Sequence, residues 1–291
     1  MLDRLKKNVV IKKILKTNFG KKLKNTFIVR KIRQPVKDWR YPLFRFSWWI
    51  SRVIVPRRKI SIDNINFTLT CTNWITHFRW YLFKIKEPEV RYFIDKYVND
   101  GNIFFDIGAN VGVFSIYAAK KYKNIKVHSF EPEVSNLSVL KENIVKNKIM
   151  DKVDIYGVAL SNFTGLSKLF LQDLTTGSAC HTESTEKIER STEGGYPIIW
   201  HEGIFAITLD YFCKNSGIVP NAIKIDTDGN EDKILEGAQN ILKDKKLKSI
   251  IIEISANEDL KNYCRAILLK SGFHSIDYIM EKTKNEIWIK S

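Results

Sequence analysis

The chain has 291 residues, 44% of them hydrophobic, enough for one sizeable core with an appendage, and a formal net charge of +16. The first 60 residues hold 19 of the 48 Lys and Arg against only Asp3 and Asp38; the 29 basic and 30 acidic residues that follow balance each other. No apolar run approaches the ~20 residues that cross a bilayer, and no apolar segment with a small-residue cleavage site marks a secretory leader. Cys71, Cys180, Cys213 and Cys264 form no C-x-x-C pair, which argues against a zinc ribbon or a disulfide frame and for reduced thiols in a cytoplasmic chain.

From Leu2 to Phe27, apolar residues recur near a helical period with lysines between them, which predicts a basic amphipathic helix. Tyr41 to Pro56 mixes aromatic and aliphatic residues with Arg45 and Arg52. That composition suits the boundary between lipid tails and anionic headgroups, and equally suits packing on a catalytic domain. Residues 1–60 are therefore read as an extension and 61–291 as the domain proper. Lys59 to Thr72 alternates and predicts a hairpin about Asp63-Asn64; Trp74 to Trp80 is an aromatic patch, and Pro88 to Asn99 a helix ending before Gly101.

The central stretch is Ile103-Phe104-Phe105-Asp106-Ile107-Gly108-Ala109-Asn110-Val111-Gly112. A continuous apolar run breaks into a glycine-bearing turn, and a helical pattern starts at Val113. Glycines there let the backbone approach a ligand, and the helix N-terminus presents unpaired N–H groups. A dinucleotide fingerprint from Gly108 needs glycine at 110 and 113, where the chain has Asn110 and Val113, and no Lys-Ser/Thr pair makes a triphosphate cradle. The next strand, Lys126 to Phe130, ends in Glu131-Pro132, an acid placed to accept hydrogen bonds from two ribose hydroxyls.

Alternation continues with a helix over 134–147 and a strand over 153–160, then a polar stretch from Asp173 to Gly203 that is the candidate substrate lid. A fourth strand runs into Ile225-Asp226-Thr227-Asp228-Gly229-Asn230-Glu231, and a fifth, Ser249 to Ser255, carries the lone acid Glu253, with Lys224 as its expected partner. A helix over 259–270 and strands over 274–279 and 286–290 close the chain as an antiparallel edge. The fold class is α/β: a doubly wound, Rossmann-like sheet preceded by a basic helical segment.

The Asp106-x-Gly108-x-Asn110-x-Gly112 turn, Glu131, and the Lys224-Ile225-Asp226…Gly229…Glu231 and Glu253 pattern resemble the FkbM family of S-adenosylmethionine-dependent class I methyltransferases. Thr227 and Asp228 stand where that family's pattern has Val and Glu. The resemblance spans roughly residues 75–255 and implies S-adenosylmethionine as cofactor and O-methylation of a hydroxyl on a sugar or secondary metabolite. It implies Asp106, Gly108, Asn110, Gly112 and Glu131 on the cofactor side and Asp226, Asp228, Glu231 and Glu253 on the acceptor side. Asp228 and Glu231 fit equally well as favourable charges in the first turn of a helix. His181 and His201 are possible bases in the long loop.

No His, Asp or Glu spacing specifies a metal, although the carboxylates are chemically able to hold a divalent cation. The expected acceptor is a glycan or glycolipid precursor, with residues 1–60 resting on an anionic membrane surface. An RNA methyltransferase using those residues as an electrostatic arm is the rival enzyme, opposed by the lack of an Asn/Asp-Pro-Pro-aromatic motif after the fourth strand. A non-catalytic module that kept the fold is the rival from another class.

Overall fold

The computed structural model describes residues 46, 50, 57–83, 85, 87–192, 194–254, 257–276 and 284–290. The helix expected over 2–27 and the aromatic segment over 41–56 lie outside the described residues, apart from Phe46 and Ile50, both helical. The chain divides into two compact units, 1–54 and 55–291, so the first strand of the larger unit runs across residue 60.

That unit opens with a hairpin of β1 (Arg57–Ile62) and β2 (Ile65–Thr70). Its two-residue loop places Asp63 and Asn64 at φ 46° and 65°, the left-handed pair that matches strand twist and that short polar side chains tolerate. Next come α1 (Trp74–Leu82), α2 (Pro88–Tyr97), β3 (Ile103–Ile107), α3 (Val113–Lys121), β4 (Lys126–Phe130), α4 (Val134–Asn147) and β5 (Val153–Tyr156). Four short strands follow: β6 (Ala159–Leu160), β7 (Gly165–Leu171), β8 (Thr182–Ser184) and β9 (Trp200–Ile207). The chain then runs through α5 (Leu209–Ser216), β10 (Ala222–Ile225), α6 (Glu231–Glu236), β11 (Ser249–Glu253), α7 (Glu258–Lys270), β12 (His274–Ile276) and β13 (Asn285–Ile289).

Seven of these strands form one sheet in the order β12-β13-β11-β10-β3-β4-β5. The five from β11 to β5 are parallel, and β13 is antiparallel to both β11 and β12. Successive side chains face opposite sides of a strand, so Phe104 packs with the hairpin, α2 and α3 while Phe105 packs with α5 and α6. Each such side chain contributes about 1.5–3 kcal/mol of transfer free energy. Because β4 and β5 lie to one side of β3 and β10 and β11 to the other, the strand order reverses at β3/β10. A crevice opens there beyond the C-terminal strand ends.

The hairpin is fastened by two asparagines one helical turn apart on α4. Asn143 Oδ1 accepts from the Thr70 N–H at 2.8 Å, and Asn147 bonds both the N–H and the C=O of Thr68 at 2.9 and 2.7 Å. These amides satisfy backbone groups of β2 that no further strand pairs.

The strand expected over 153–160 is two strands in different sheets. It breaks at Gly157, where a Cβ would meet Leu137 Cδ2 at 2.9 Å, and β6 joins a four-stranded sheet of order β6-β9-β7-β8. Within the polar stretch of 173–203 lie β8, a bridge between Arg190 and Pro197, and the start of β9.

Candidate active site

At the tip of β3, Gly108 has φ +73°, and a Cβ there would lie 1.8 Å from the Asp226 carbonyl oxygen. Only glycine lets β3 and β10 close to this distance. The N–H groups of Gly108 and Ala109 both reach the Phe130 carbonyl at 3.0 Å, which draws the turn onto the tip of β4. Glu131 completes the join: Oε2 accepts from the Asn110 N–H at 2.7 Å and Oε1 from the Glu133 N–H at 3.0 Å. The Asn136 side chain also bonds to this carboxylate, and with two acceptor positions on each oxygen some capacity remains for a ligand hydroxyl. Burial pushes the Glu131 carboxyl up to about 7 against the lowering pull of those N–H groups.

Asp106 is buried on the α3 face of β3 and accepts from the Ser115 hydroxyl. Register sets Lys224 beside it, since Lys224 and Asp106 are partners across β10 and β3. The Lys224 ammonium, only 2% exposed, lies 3.2 Å from Asp106 Oδ1 and 3.3 Å from Asp226 Oδ2 and donates to the Gly108 carbonyl. Burial alone would lower the lysine pKa; the charges of Asp106 and Asp226 outweigh it and raise it. Burial likewise raises the Asp226 carboxyl, but the Lys224 charge and a hydrogen bond from Glu253 hold it at about 2. The expected Lys224–Glu253 pair is thus replaced. Glu253, one step beyond the last paired position of β10 and β11, has the Lys284 ammonium 3.9 Å away.

The β10 tip turns sharply through Asp228, at φ 58°, and Gly229. Glu231 clamps this turn from below, accepting from Thr227 N and Oγ1, each at 2.9 Å, and from Gly229 N at 3.1 Å. Burial pushes its carboxyl up to about 7. Expected on the acceptor side, Glu231 points into the turn and lines neither cavity described below. Carboxylate oxygens of Asp226, Asp228 and Glu253 do converge, within 4.8 Å of one another, a spacing that suits either a shared proton or a divalent cation.

The 175–181 loop is stitched across this floor by side-chain-to-backbone bonds. Asn110 Nδ2 donates to Ser178 O, Gly177 N to Asn136 Oδ1, Arg79 Nε to Gly177 O, and Cys180 N to Asp228 Oδ2. The loop therefore separates two cavities that share Gly108, Asn110, Ser178, Ala179, Asp226 and Asp228. The smaller, about 70 Å³, has Glu131 and His181 in its wall with apolar Phe130, Val158 and Leu160. The larger, about 780 Å³, is floored by Lys224, Asp226, Asp228 and Glu253, with Trp74, Phe78 and Tyr196 at its mouth. Those three aromatics are 70%, 48% and 49% exposed. His201, expected as a possible base, sits on β9 against Phe170 and lines neither cavity.

Arg79, Asn136 and Cys180 did not stand out in the sequence, because their roles rest on backbone atoms of a distant loop. Gly112 is an N-cap at φ +85°, packed so closely that a Cβ would sit 2.2 Å from Leu140 Cδ1; it shapes α3 and lines neither cavity. Asn110, expected beside the cofactor, both lines the cavities and bridges the turn to the loop.

Sheet order, the glycine turn and the acid at the tip of β4 define a Rossmann-like class I methyltransferase fold. The sequence profile of the methyltransferase FkbM domain matches residues 106–285, and the chain belongs to that family. The 31-O-demethyl-FK506 methyltransferase FkbM of Streptomyces tacrolimicus is 24% identical over 192 residues, 60% of this chain and 73% of that protein. Methyltransferase sdnD of Sordaria araneosa is 24% identical over 187 residues, covering 58% and 72%. The crystal structure of a methyltransferase FkbM from Methylobacillus flagellatus KT superposes with a TM-score of 0.46 at 16% identity, covering 74% of this chain and 52% of that one.

Proposed function

We propose that this methyltransferase uses S-adenosylmethionine to methylate a hydroxyl of a sugar, glycan or glycolipid precursor. The observation that carries the reading is the pair of unlike cavities that meet the Gly108–Asn110 turn from two sides, one narrow with Glu131 beside apolar walls, the other wide, acidic and rimmed by aromatics. The residues present fit the cofactor: backbone without a side chain at Gly108, remaining acceptor capacity on Glu131 and a buried, unbonded ring nitrogen on His181. Glu131 would hold the ribose and the Gly108–Asn110 backbone the amino-acid end. When bound, S-adenosylmethionine supplies an electrophilic methyl group on a sulfonium, open to in-line displacement.

The chain's own task is then to position an alcohol and receive its proton. Lys224 keeps Asp226 ionised and oriented, so that Asp226 accepts a hydrogen bond from the incoming hydroxyl. Asp228 stands within reach to take the proton as the oxygen–carbon bond forms. Exposed Trp74, Phe78 and Tyr196 offer apolar faces to the C–H faces of a sugar ring, and Arg79, Gln172 and Asn285 offer hydrogen bonds to its hydroxyls. The name of the Streptomyces relative, which describes methylation of an oxygen, supports the same acceptor chemistry.

The test is transfer of labelled methyl from S-adenosylmethionine to a panel of mono- and oligosaccharides and lipid-linked sugars, with Asp226→Asn as control. Transfer to a carbohydrate oxygen that the variant lacks is expected; transfer only to RNA or to nitrogen acceptors would overturn the reading. The basic residues 1–60 suit attachment to an anionic membrane surface, where lipid-linked acceptors reside. Co-sedimentation of the full chain with phosphatidylglycerol vesicles but not with phosphatidylcholine vesicles is the expected result, and a chain that ignores both contradicts it.

A further inference from the structure

We propose that His181 selects the adenine of the cofactor by accepting a hydrogen bond from its exocyclic amino group at Nδ1; the inference rests on the small cavity being the nucleoside pocket. The proton inventory assigns the tautomer. Ser178 Oγ donates to the Asp173 carbonyl at 3.3 Å, so a lone pair of that oxygen is what meets His181 Nε2 at 3.0 Å. With the hydroxyl hydrogen spent on Asp173, Nε2 carries the ring hydrogen, and Nδ1 is left as an acceptor. That nitrogen is buried, and no group among the described residues bonds to it. Burial also holds the imidazole pKa below its ordinary value and keeps the ring neutral.

Unpaired buried acceptors are uncommon and costly, which points to a donor arriving with a ligand. Two further polar side chains of this wall are committed: Asn136 Oδ1 to the Gly177 N–H, and the two oxygens of Glu183 to the hydroxyls of Ser161 and Ser167. Glu131 is already suited to the ribose hydroxyls. The donor left on an adenosine is the amino group, at the edge of a flat ring whose faces suit Phe130, Val158 and Leu160.

The experiment is calorimetric titration with S-adenosylhomocysteine and with S-inosylhomocysteine, whose carbonyl oxygen replaces the amino group and would oppose the Nδ1 lone pair. The full-length wild-type chain is expected to prefer the adenine compound by roughly tenfold or more. In His181→Phe the preference should shrink to about threefold or less, and His181→Gln, which keeps an acceptor oxygen, should recover part of it. A folded His181→Phe variant with the full preference overturns the assignment, as does a wild type that binds both compounds equally. A wild type that binds neither overturns the nucleoside-pocket reading itself. Should the variants fail to fold, the ¹⁵N resonance of His181 Nδ1 in the wild type decides: it shifts towards a hydrogen-bonded value on adding S-adenosylhomocysteine, or stays put and removes the proposal.

Discussion

The two ends of the crevice are built by different means. At the proposed nucleoside end the turn is held through backbone: Glu131 bonds two N–H groups, Asn136 bonds Gly177, and Gly108 is pressed against the Asp226 carbonyl. At the acceptor end the floor is a set of side-chain charges held by one buried lysine, and the rim is exposed aromatic surface on α1 and the long loop. A backbone-built pocket suits a ligand that does not vary, whereas a side-chain rim adapts to different acceptors by substitution. The cofactor end of this enzyme should accordingly be intolerant of change and the rim permissive.

Four experiments sharpen or break that contrast. Lys224→Met leaves Asp106 and Asp226 facing each other without a counter-charge. Loss of one partner from a buried ionic cluster costs about 3–5 kcal/mol, so urea denaturation should show a drop of that order. A loss under 1 kcal/mol would mean that the lysine does not hold the floor. Gly108→Ala must push β3 and β10 apart and adopt a left-handed backbone, for about 2–3 kcal/mol of stability together with loss of cofactor binding. A stable Gly108→Ala variant that binds normally would refute the close approach.

The third experiment uses pH. The carboxyls of Glu131 and Glu231 sit near 7 in the folded, ligand-free protein, above their value in the unfolded chain. Between about pH 4.5 and 7 the folded state retains protons that the unfolded state has released. Stability therefore falls as pH rises through this window, by up to about 1.4 kcal/mol per pH unit for each group, and levels off above it. Glu131→Gln should remove one of the two contributions. Cofactor affinity should move the other way, rising with pH as the Glu131 carboxylate forms to receive hydroxyls, and the same variant should flatten that rise.

The smallest effect belongs to the rim. Trp74→Ala should raise KM for a carbohydrate acceptor by roughly 5–20-fold with kcat nearly unchanged, the signature of binding shared by ground and transition states. An equal loss in kcat would instead make Trp74 part of the transition-state machinery.

What the sequence made legible follows the same divide. Strands buried on both faces, such as Phe104-Phe105 and Ile250 to Ile252, read as apolar runs, and the left-handed turns announced themselves through Asp63-Asn64, Gly108 and Gly112. Glu131 stood out because its position one residue past a strand is itself a signal. The second sheet was illegible: β8 is only three residues long, and β9, though eight residues long, carries His201, Glu202 and Gly203 and lacks the alternation that marks a strand. Nor does any period mark the bonds that seat the 175–181 loop, since side chains on α1, α4 and two strand tips reach its backbone. Pairing Lys224 with Glu253 failed for a related reason: which acid a buried lysine meets depends on register between strands over a hundred residues apart, and that register selects Asp106.

The central claim, that the crevice is a cofactor site built on Gly108 and Glu131, is tested most directly by calorimetric titration of the full chain with S-adenosylhomocysteine, beside Gly108→Ala and Glu131→Ala. The account predicts saturable binding of one molecule per chain in the wild type and loss of that binding in both variants. Absence of binding in a folded wild type, or equal affinity in all three proteins, would contradict it.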